Sequence, residues 1–301
     1  MSKAMTTAAS AVLVMSILLV AWFVPIPEAF PIVLALLLVF FVMLGFAICK
    51  NPLGILITEQ NVMSLSRFQT VLWTIIVISA FLVIAIARIK NGVLPDDEGR
   101  ELSDPLNIVF GKDLLMLLGI SAASLVGSPL IAATKKPKTP DQKVFTNTAR
   151  QMVRLDNVPD SVKEGKKAPV SAGQADPAAG AAAKSNTPSV AKVASAIEDH
   201  AEGTLYKNPT INDASLGDMF EGSEVGNAAH VDLSKVQMFF FTVVIGVAYV
   251  VALWDVISTN AIYGPDFTFP ALSGGTVALL GISNAGYLAA KGVDHTTKAT
   301  A

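Results

Sequence analysis

The chain has 301 residues, of which 52% are hydrophobic and only 15% are charged, and its formal net charge is −2 at pH 7. This balance argues against an ordinary soluble domain and favours a membrane protein, because long apolar runs are stable where lipid surrounds them. The near-neutral charge provides no basic field for nucleic acid, so we expect no nucleic-acid partner.

Six apolar segments come close to the ~20 residues that a helix needs to cross a bilayer. In chain order they cover residues 8–26, 30–49, 68–88, 113–133, 236–256 and 270–290. The first follows Lys3, as in a signal peptide, but no small-x-small cleavage site comes after it. Instead, VPIPEAFP leads into the second segment, which predicts a retained N-terminal hairpin within residues 1–64. The sequence thus predicts an all-α, polytopic membrane protein with six transmembrane helices in three hairpins.

Lysine and arginine concentrate on one side of these predicted helices. Neither residue type occurs in the connection 257–269, whereas six of them lie within residues 135–154 and Lys291 follows the last segment. The positive-inside rule therefore places both termini and residues 134–232 in the cytoplasm. The connection after the third segment fits this rule less well, because it contains Lys90, Arg100 and Lys112.

Residues 134–232 form the long cytoplasmic region of this topology. Its middle, GKKAPVSAGQADPAAGAAAKSNTPSVAKVASA, has no aromatic residue and little apolar bulk, which is typical of a disordered linker. The flanking stretches 142–155 and 212–232 are candidate docking segments for another protein. The first also suits an amphipathic helix on the inner leaflet or, equally well, a solvated basic linker.

Two stretches of the chain are nearly the same. LSRFQTVLWT at 65–74 matches LSKVQMFFFT at 233–242, and further along LLGISAASLVG at 117–127 matches LLGISNAGYLA at 279–289. Two blocks in the same order predict that residues 65–133 and 233–301 are copies of one helical hairpin. Both copies start from the cytoplasm, so the repeat is expected to be parallel.

The first block contains Ser-x-x-Gln, the pattern of a capping box. The serine would accept from an orphan backbone N–H at the helix start, the glutamine would reach back, and the basic residue between them would contact lipid headgroups. The alternative is that the glutamines line a polar path. These roles are assigned to Ser66, Arg67 and Gln69 in the first copy and to Ser234, Lys235 and Gln237 in the second.

The second block places small residues four positions apart, a pattern that lets helix backbones pack closely in lipid. Serines beside them would add hydrogen bonds between helices, and the alternative is that these serines line an ion path. The residues assigned to packing are Gly119, Ser121, Ala123 and Gly127 in the first copy and Gly281, Ser283, Ala285 and Ala289 in the second.

The sequence offers no recognisable chemistry. No ionisable residue lies near the centre of a predicted span, although coupled transporters generally need one. A nucleophile–base pair, a metal-ligand cluster and a GxxxxGK[ST] loop are likewise missing from the sequence pattern. We therefore expect a protein that is not an enzyme and needs no cofactor or metal.

The motifs MSLSRFQTVLWT with LLGIS, and VDLSKVQMFFFT with ALLGISNAGYLAAK, resemble a group of bacterial inner-membrane proteins. The resemblance covers the last four apolar segments, about half of the chain. It implies inner-membrane placement and an association with phage-tail-like contractile injection systems, and it supplies no catalytic residues.

The leading hypothesis is a membrane anchor or scaffold that self-associates and presents residues 142–232 to a soluble partner. A second hypothesis is a homo-oligomeric passive channel lined by Ser121, Ser124, Ser283 and Asn284. A third is an accessory subunit of a membrane enzyme whose chemistry lies in another chain.

Overall fold

The computed structural model describes residues 3–92, 104–163, 188–264 and 266–296. These residues form α-helices, 3-10 turns and isolated β-bridges, and no strand is assigned among them. The prediction of an all-α fold is therefore confirmed. The helices are α1 (Lys3–Phe23), α2 (Ile26–Cys49), α3 (Leu65–Asn91), α4 (Lys112–Lys135), α5 (Gln142–Arg154), α6 (Asp160–Lys163), α7 (Val190–His200), α8 (Leu233–Ser258) and α9 (Gly274–Gly292).

Four of these helices, α2, α3, α4 and α8, are long and apolar enough to cross a membrane. They support a membrane protein, because a helix satisfies its own backbone hydrogen bonds where lipid supplies no partner. The stretch Ala8–Phe23 of α1 is also apolar, but it is shorter than these four helices. The first and last of the six predicted spans are thus helices, but they are not among these four.

The chain divides into two compact units. Unit 1 comprises Met1–Ile57, Ser64–Ile131 and Leu233–Gly292. Unit 2 comprises Thr58–Met63, Ala132–Asp232 and Val293–Ala301. Unit 1 therefore contains the apolar helices, and unit 2 contains most of the region that was expected to be cytoplasmic.

The core of unit 1 forms where α2, α3 and α8 pack on one another. Trp73 of α3 and Tyr249 of α8 are both buried, and their ring centroids lie 5.9 Å apart in an edge-on arrangement. Gly246 lets α3 come close, because a Cβ at this position would lie 3.2 Å from the side chain of Leu72. Phe30 of α2 belongs to the same buried cluster.

A second close approach follows α2. Lys50, the C-cap residue of α2, has the left-handed conformation with φ of 57°. The chain then turns through the 3-10 segment Gly54–Leu56. A Cβ on Gly54 would lie 2.6 Å from the Cβ of Cys49 and 2.7 Å from the carbonyl oxygen of Gly45. Only glycine fits this position unless the turn moves.

The N-cap of α3 is Ser64, not the predicted Ser66. The hydroxyl of Ser64 accepts from the backbone N–H of Arg67 at 3.5 Å, and its own N–H donates to the carbonyl oxygen of Leu56 at 2.8 Å. This backbone bond holds Ser64 in the extended conformation that an N-cap requires. Ser66 lies inside the helix, so the capping box predicted from Ser66 and Gln69 is wrong for the N-terminus of α3.

Unit 2 is more ordered than the composition of residues 134–232 predicts. Helices α5 and α7 pack on each other around a small buried cluster that includes Phe145, Met152, Val193 and Ile197. The linker predicted from composition reaches into α7, which the structure shows as a helix capped by Ser189. Residues 165–187 of the predicted linker lie outside the described residues.

This packing also changes the role expected for residues 142–155. The apolar face of α5, with Phe145, Ala149 and Met152, is buried in the core of unit 2. An amphipathic helix on the inner leaflet would need that face free for lipid. The same face is therefore unavailable both to lipid and to a docking partner.

We predict that Gly54→Ala destabilises unit 1 by about 1–3 kcal/mol, because the new methyl group overlaps Cys49 and the carbonyl of Gly45. The measurement is thermal unfolding in detergent followed by tryptophan fluorescence. Gly274→Ala is the matched control, since no atom lies within 4 Å of the Cβ position at Gly274. Equal melting temperatures for the two variants would contradict the prediction.

Candidate functional site

Polar side chains join α4 and α9 along their buried faces. The hydroxyl of Ser124 donates to Oδ1 of Asn284 at 2.5 Å, and Ser128 Oγ lies 3.1 Å from the hydroxyl of Tyr287. Both pairs advance in the same direction along the two helices, so α4 and α9 are parallel neighbours. Asn284 also donates through Nδ2 to the carbonyl oxygen of Leu280, which fixes its orientation.

The hydroxyl of Tyr287 is the centre of a larger polar cluster at one end of these helices. The hydroxyl of Ser66 in α3 donates to the Tyr287 hydroxyl at 3.2 Å. Lys291 donates to Ser128, whose hydroxyl also lies beside Tyr287. The ammonium of Lys291 lies 5.8 Å from the centroid of the Tyr287 ring. Ser66, predicted as a cap, instead ties α3 to α9. Lys235 is only 7% exposed, so it does not extend among lipid headgroups as expected.

Several buried polar atoms in unit 1 have no hydrogen-bond partner. They include both side-chain polar atoms of Gln69 and the hydroxyls of Ser121, Thr242 and Ser283. Gln69 therefore makes no capping contact, whereas its counterpart Gln237 is exposed. Burying a polar group without a hydrogen-bond partner costs free energy in a low-dielectric medium. Close packing alone therefore does not explain why these polar side chains are buried in unit 1.

The polar residues of α4 and α9 do not line an open path in this conformation. Ser121, Ser124, Ser283 and Asn284, the residues proposed to line a pore, are each no more than 4% exposed. A path wide enough for water would expose them to a water-sized probe. The described residues of a single chain therefore form a packed polar seam in this place.

The predicted small-residue stripes mostly face outward. Ala123, Ala285 and Ala289 are exposed, and no atom lies within 4 Å of the Cβ position of Gly119. Successive helical residues are rotated by ~100°, so Gly119 and the buried Ser121 point to nearly opposite sides of α4. Two glycines face the neighbouring helix. A Cβ at Gly127 would lie 3.4 Å from the side chain of Leu288, and a Cβ at Gly281 would lie 3.5 Å from that of Ile120.

A buried ion pair organises unit 2. Lys135 donates to the carboxylate of Glu224, and both side chains are at most 2% exposed. Lys135 also donates to the carbonyl oxygen of Val293 at 2.7 Å, and the second oxygen of Glu224 accepts from the backbone N–H of His295 at 3.0 Å. The pair therefore holds together three separate segments of unit 2.

Unit 2 also contains an acidic cleft of about 290 Å³. Asp213 lies in its wall and accepts from the backbone N–H and the hydroxyl of Ser161 at 2.9 and 2.6 Å. Thr210 donates to the same carboxylate at 2.9 Å through its backbone N–H. Burial opposes ionisation, but these hydrogen bonds outweigh it and hold the pKa of Asp213 below its usual value. The carboxylates in the cleft are Asp156, Asp160, Asp213, Asp218 and Glu221.

These carboxylates serve local structure first. Asp218 accepts from the backbone N–H groups of Ser215 and Met63 at 3.0 Å each, and Glu221 accepts from Asn157 at 2.8 Å. Within the described part of the chain, no group of three or more His, Cys, Asp or Glu residues could hold a metal ion. The hydrogen bonds of Asp218 and Glu221 therefore account for part of the local structure of unit 2.

Comparison of the chain with protein-family models, with curated proteins and with solved structures gives no match. The function is therefore argued from the residues themselves.

We predict that Glu224→Gln destabilises unit 2 by about 3–5 kcal/mol, because it leaves the buried ammonium of Lys135 without a carboxylate. Hydrogen exchange of α5 and α7 amides in urea measures this loss. Glu59→Gln is the control, since Glu59 pairs with Lys136 on the surface with its side chain 78% exposed. That change should cost less than about 1 kcal/mol. Similar losses of stability in the two variants would show that the buried ion pair stabilises unit 2 no more than the surface pair does.

Asp213 should make unit 2 sensitive to acid. The folded pKa of Asp213 lies below that of an unperturbed aspartate, which is about 3.9. Its ionised form therefore contributes its full stabilisation above about pH 4. That contribution is lost as the pH falls from there through the folded pKa. Asp213→Asn should therefore flatten the pH dependence of the unfolding free energy in this range, whereas Asp199→Asn on the exposed side of α7 should not. An unchanged slope for Asp213→Asn would refute this assignment.

Proposed function

We propose that the protein is a non-catalytic membrane anchor that presents unit 2 to a soluble partner protein. The observation that supports this is the division of the chain into an apolar helical unit and a polar unit with a hydrophobic core of its own. An enzyme or pump would place reactive or titratable groups together inside the apolar unit. The polar contacts between helices of unit 1 are made mainly by hydroxyls and an amide, and its cations Arg88, Lys235 and Lys291 lie toward the helix ends.

In this proposal α1 and α9 cross the membrane together with the four longer helices, which gives six spans in three hairpins. Two parallel helix pairs support the internal repeat. Phe68 packs on Phe239 with ring centroids 5.3 Å apart where α3 and α8 begin, and α4 lies beside α9. The connections that precede α4 and α9 meet in a parallel β-bridge between Val109 and Thr268. The corresponding parts of both copies are therefore neighbours.

The proposed location is the inner membrane of a bacterium, with both termini and unit 2 in the cytoplasm. The lysine and arginine distribution supports this orientation. The resemblance of the repeated motifs suggests a phage-tail-like contractile apparatus as the partner assembly. The exposed small residues of α4 and α9, among them Gly119 and Ala285, would let copies of the chain pack closely in lipid.

A second candidate is a homo-oligomeric passive channel. The buried but unpartnered side chains of Gln69, Ser121 and Ser283 favour it, because polar atoms without partners are suited to a permeating solute. The closed seam weighs against a path within a single chain. A conducting state would need movement of α4 against α9 or a passage formed between subunits.

The test is the composition of the particle that mild detergent extracts from native membranes. We expect the full-length chain to copurify with another polypeptide in fixed proportion. A variant lacking residues 142–232 should still insert, because unit 1 contains the spanning helices, but it should lose the partner.

A control variant replaces residues 164–187 with a Gly/Ser linker of the same length. It should keep the partner if folded unit 2 makes the contact. Retention of the partner after deletion of 142–232 would refute the proposal. A particle made only of this chain would favour the channel, which ion flux through liposomes then tests.

A further inference from the structure

The turn between α1 and α2 borders a cavity of about 340 Å³. Its walls come from the end of α1, the turn itself, the start of α2 and the last turn of α3. Ala21, Val24 and Ala87 make part of its lining apolar, whereas Lys90 and Asn91 make another part polar. The volume lies within the range of about 300–1,000 Å³ that is typical of sites for small ligands.

The polar side of this cavity is held in place by neighbouring groups. Lys90 donates through Nζ to the backbone carbonyl oxygen of Trp22 at 2.9 Å, and an ammonium group has two further N–H donors. Asn91 donates through Nδ2 to the hydroxyl of Tyr263 at 2.6 Å, so its carbonyl oxygen keeps a defined direction. Arg88, one turn earlier than Asn91, is buried and donates to the backbone carbonyls of Ile262 and Gly264 on either side of Tyr263.

Lys90 supplies positive charge at the cavity. In the described part of the chain, no ion pair joins Lys90 to a carboxylate. Glu28, in the first turn of α2, is exposed and forms no such pair with it either. A single cation beside an apolar wall suits a molecule that is anionic at one end and apolar along its length.

Aromatic residues place the cavity at the depth of lipid headgroups. Trp22 and Phe23 at the end of α1 are 45% and 72% exposed. Tryptophan at the end of a membrane helix is typical of the interface between hydrocarbon and water, where lysine also extends its ammonium toward headgroups. The helix α3, which supplies Lys90, is one of the four helices that are long enough to cross the bilayer.

We propose that this cavity binds one anionic phospholipid, with its phosphate at Lys90 and the start of an acyl chain along Ala21, Val24 and Ala87. The phosphate completes the hydrogen bonds of the ammonium, and the apolar wall accepts the adjacent methylene groups. The site lies within unit 1 and does not depend on the partner of unit 2.

Lys90 also has a structural role that the test must separate from binding. The carbonyl of Trp22 belongs to the last turn of α1, where helix carbonyls lack partners, and Lys90 satisfies it. Lys90→Gln keeps an N–H donor for this carbonyl but removes the charge. Lys90→Arg keeps both.

The experiment is native mass spectrometry of the full-length protein after exchange into detergent with equal amounts of phosphatidylglycerol and phosphatidylethanolamine. We expect wild type to retain one phosphatidylglycerol in preference to the zwitterionic lipid. Lys90→Gln should reduce this retention at least fivefold and Lys90→Arg should preserve it. Lys112→Gln, an exposed lysine in the first turn of α4, should behave as wild type.

A second variant, Val24→Gln, tests the apolar wall by making it polar, and it should lower retention without changing the charge. Melting temperatures show that each variant is folded. The proposal is overturned if Lys90→Gln retains phosphatidylglycerol as wild type does. It is also overturned if Lys112→Gln loses the lipid equally, which would indicate unspecific attraction to any surface cation.

Discussion

Lipid offers no water to polar groups, so every polar group within unit 1 depends on a partner that the protein itself supplies. The backbone meets this constraint by forming helices, and several side chains meet it by joining one helix to another. The contact of Ser124 with Asn284 and the cluster around Tyr287 connect α4 and α9 in this way, and Ser66 adds α3. The relative positions of these helices follow from a few hydrogen bonds between short side chains.

The same constraint makes the exceptions informative. Gln69, Ser121 and Ser283 are buried without partners, although neighbouring positions on the same helices are satisfied. Ser121 and Ser283 occupy matching places in the two LLGIS blocks, and both are buried. Gln69 and Gln237 also occupy matching places in the sequence, but Gln69 is buried and Gln237 is exposed. Two similar segments have thus reached different surroundings within one unit.

The sequence predicted the apolar helices well, because their length and composition reflect lipid directly. It placed the cap of α3 two residues late, since both Ser64 and Ser66 suit an N-cap and only the contact of Ser64 with Leu56 distinguishes them. The face of α4 that would be buried was not predictable, because small residues and serines alternate around this helix. The core of unit 2 was missed because Phe145 packs in one cluster with Val193, a residue from a stretch whose composition indicates disorder.

Unit 2 is discontinuous, and this has a consequence for the order of events during synthesis. The ion pair of Lys135 and Glu224 is completed by the backbone of Val293 and His295, which follow α9. Thr296 accepts from the backbone of Asp141 and Gly226, so it joins two further parts of the unit. These residues leave the ribosome only after the last helix has been made. Unit 2 therefore gains these contacts only after α9 has been made, so its packing is completed late in synthesis.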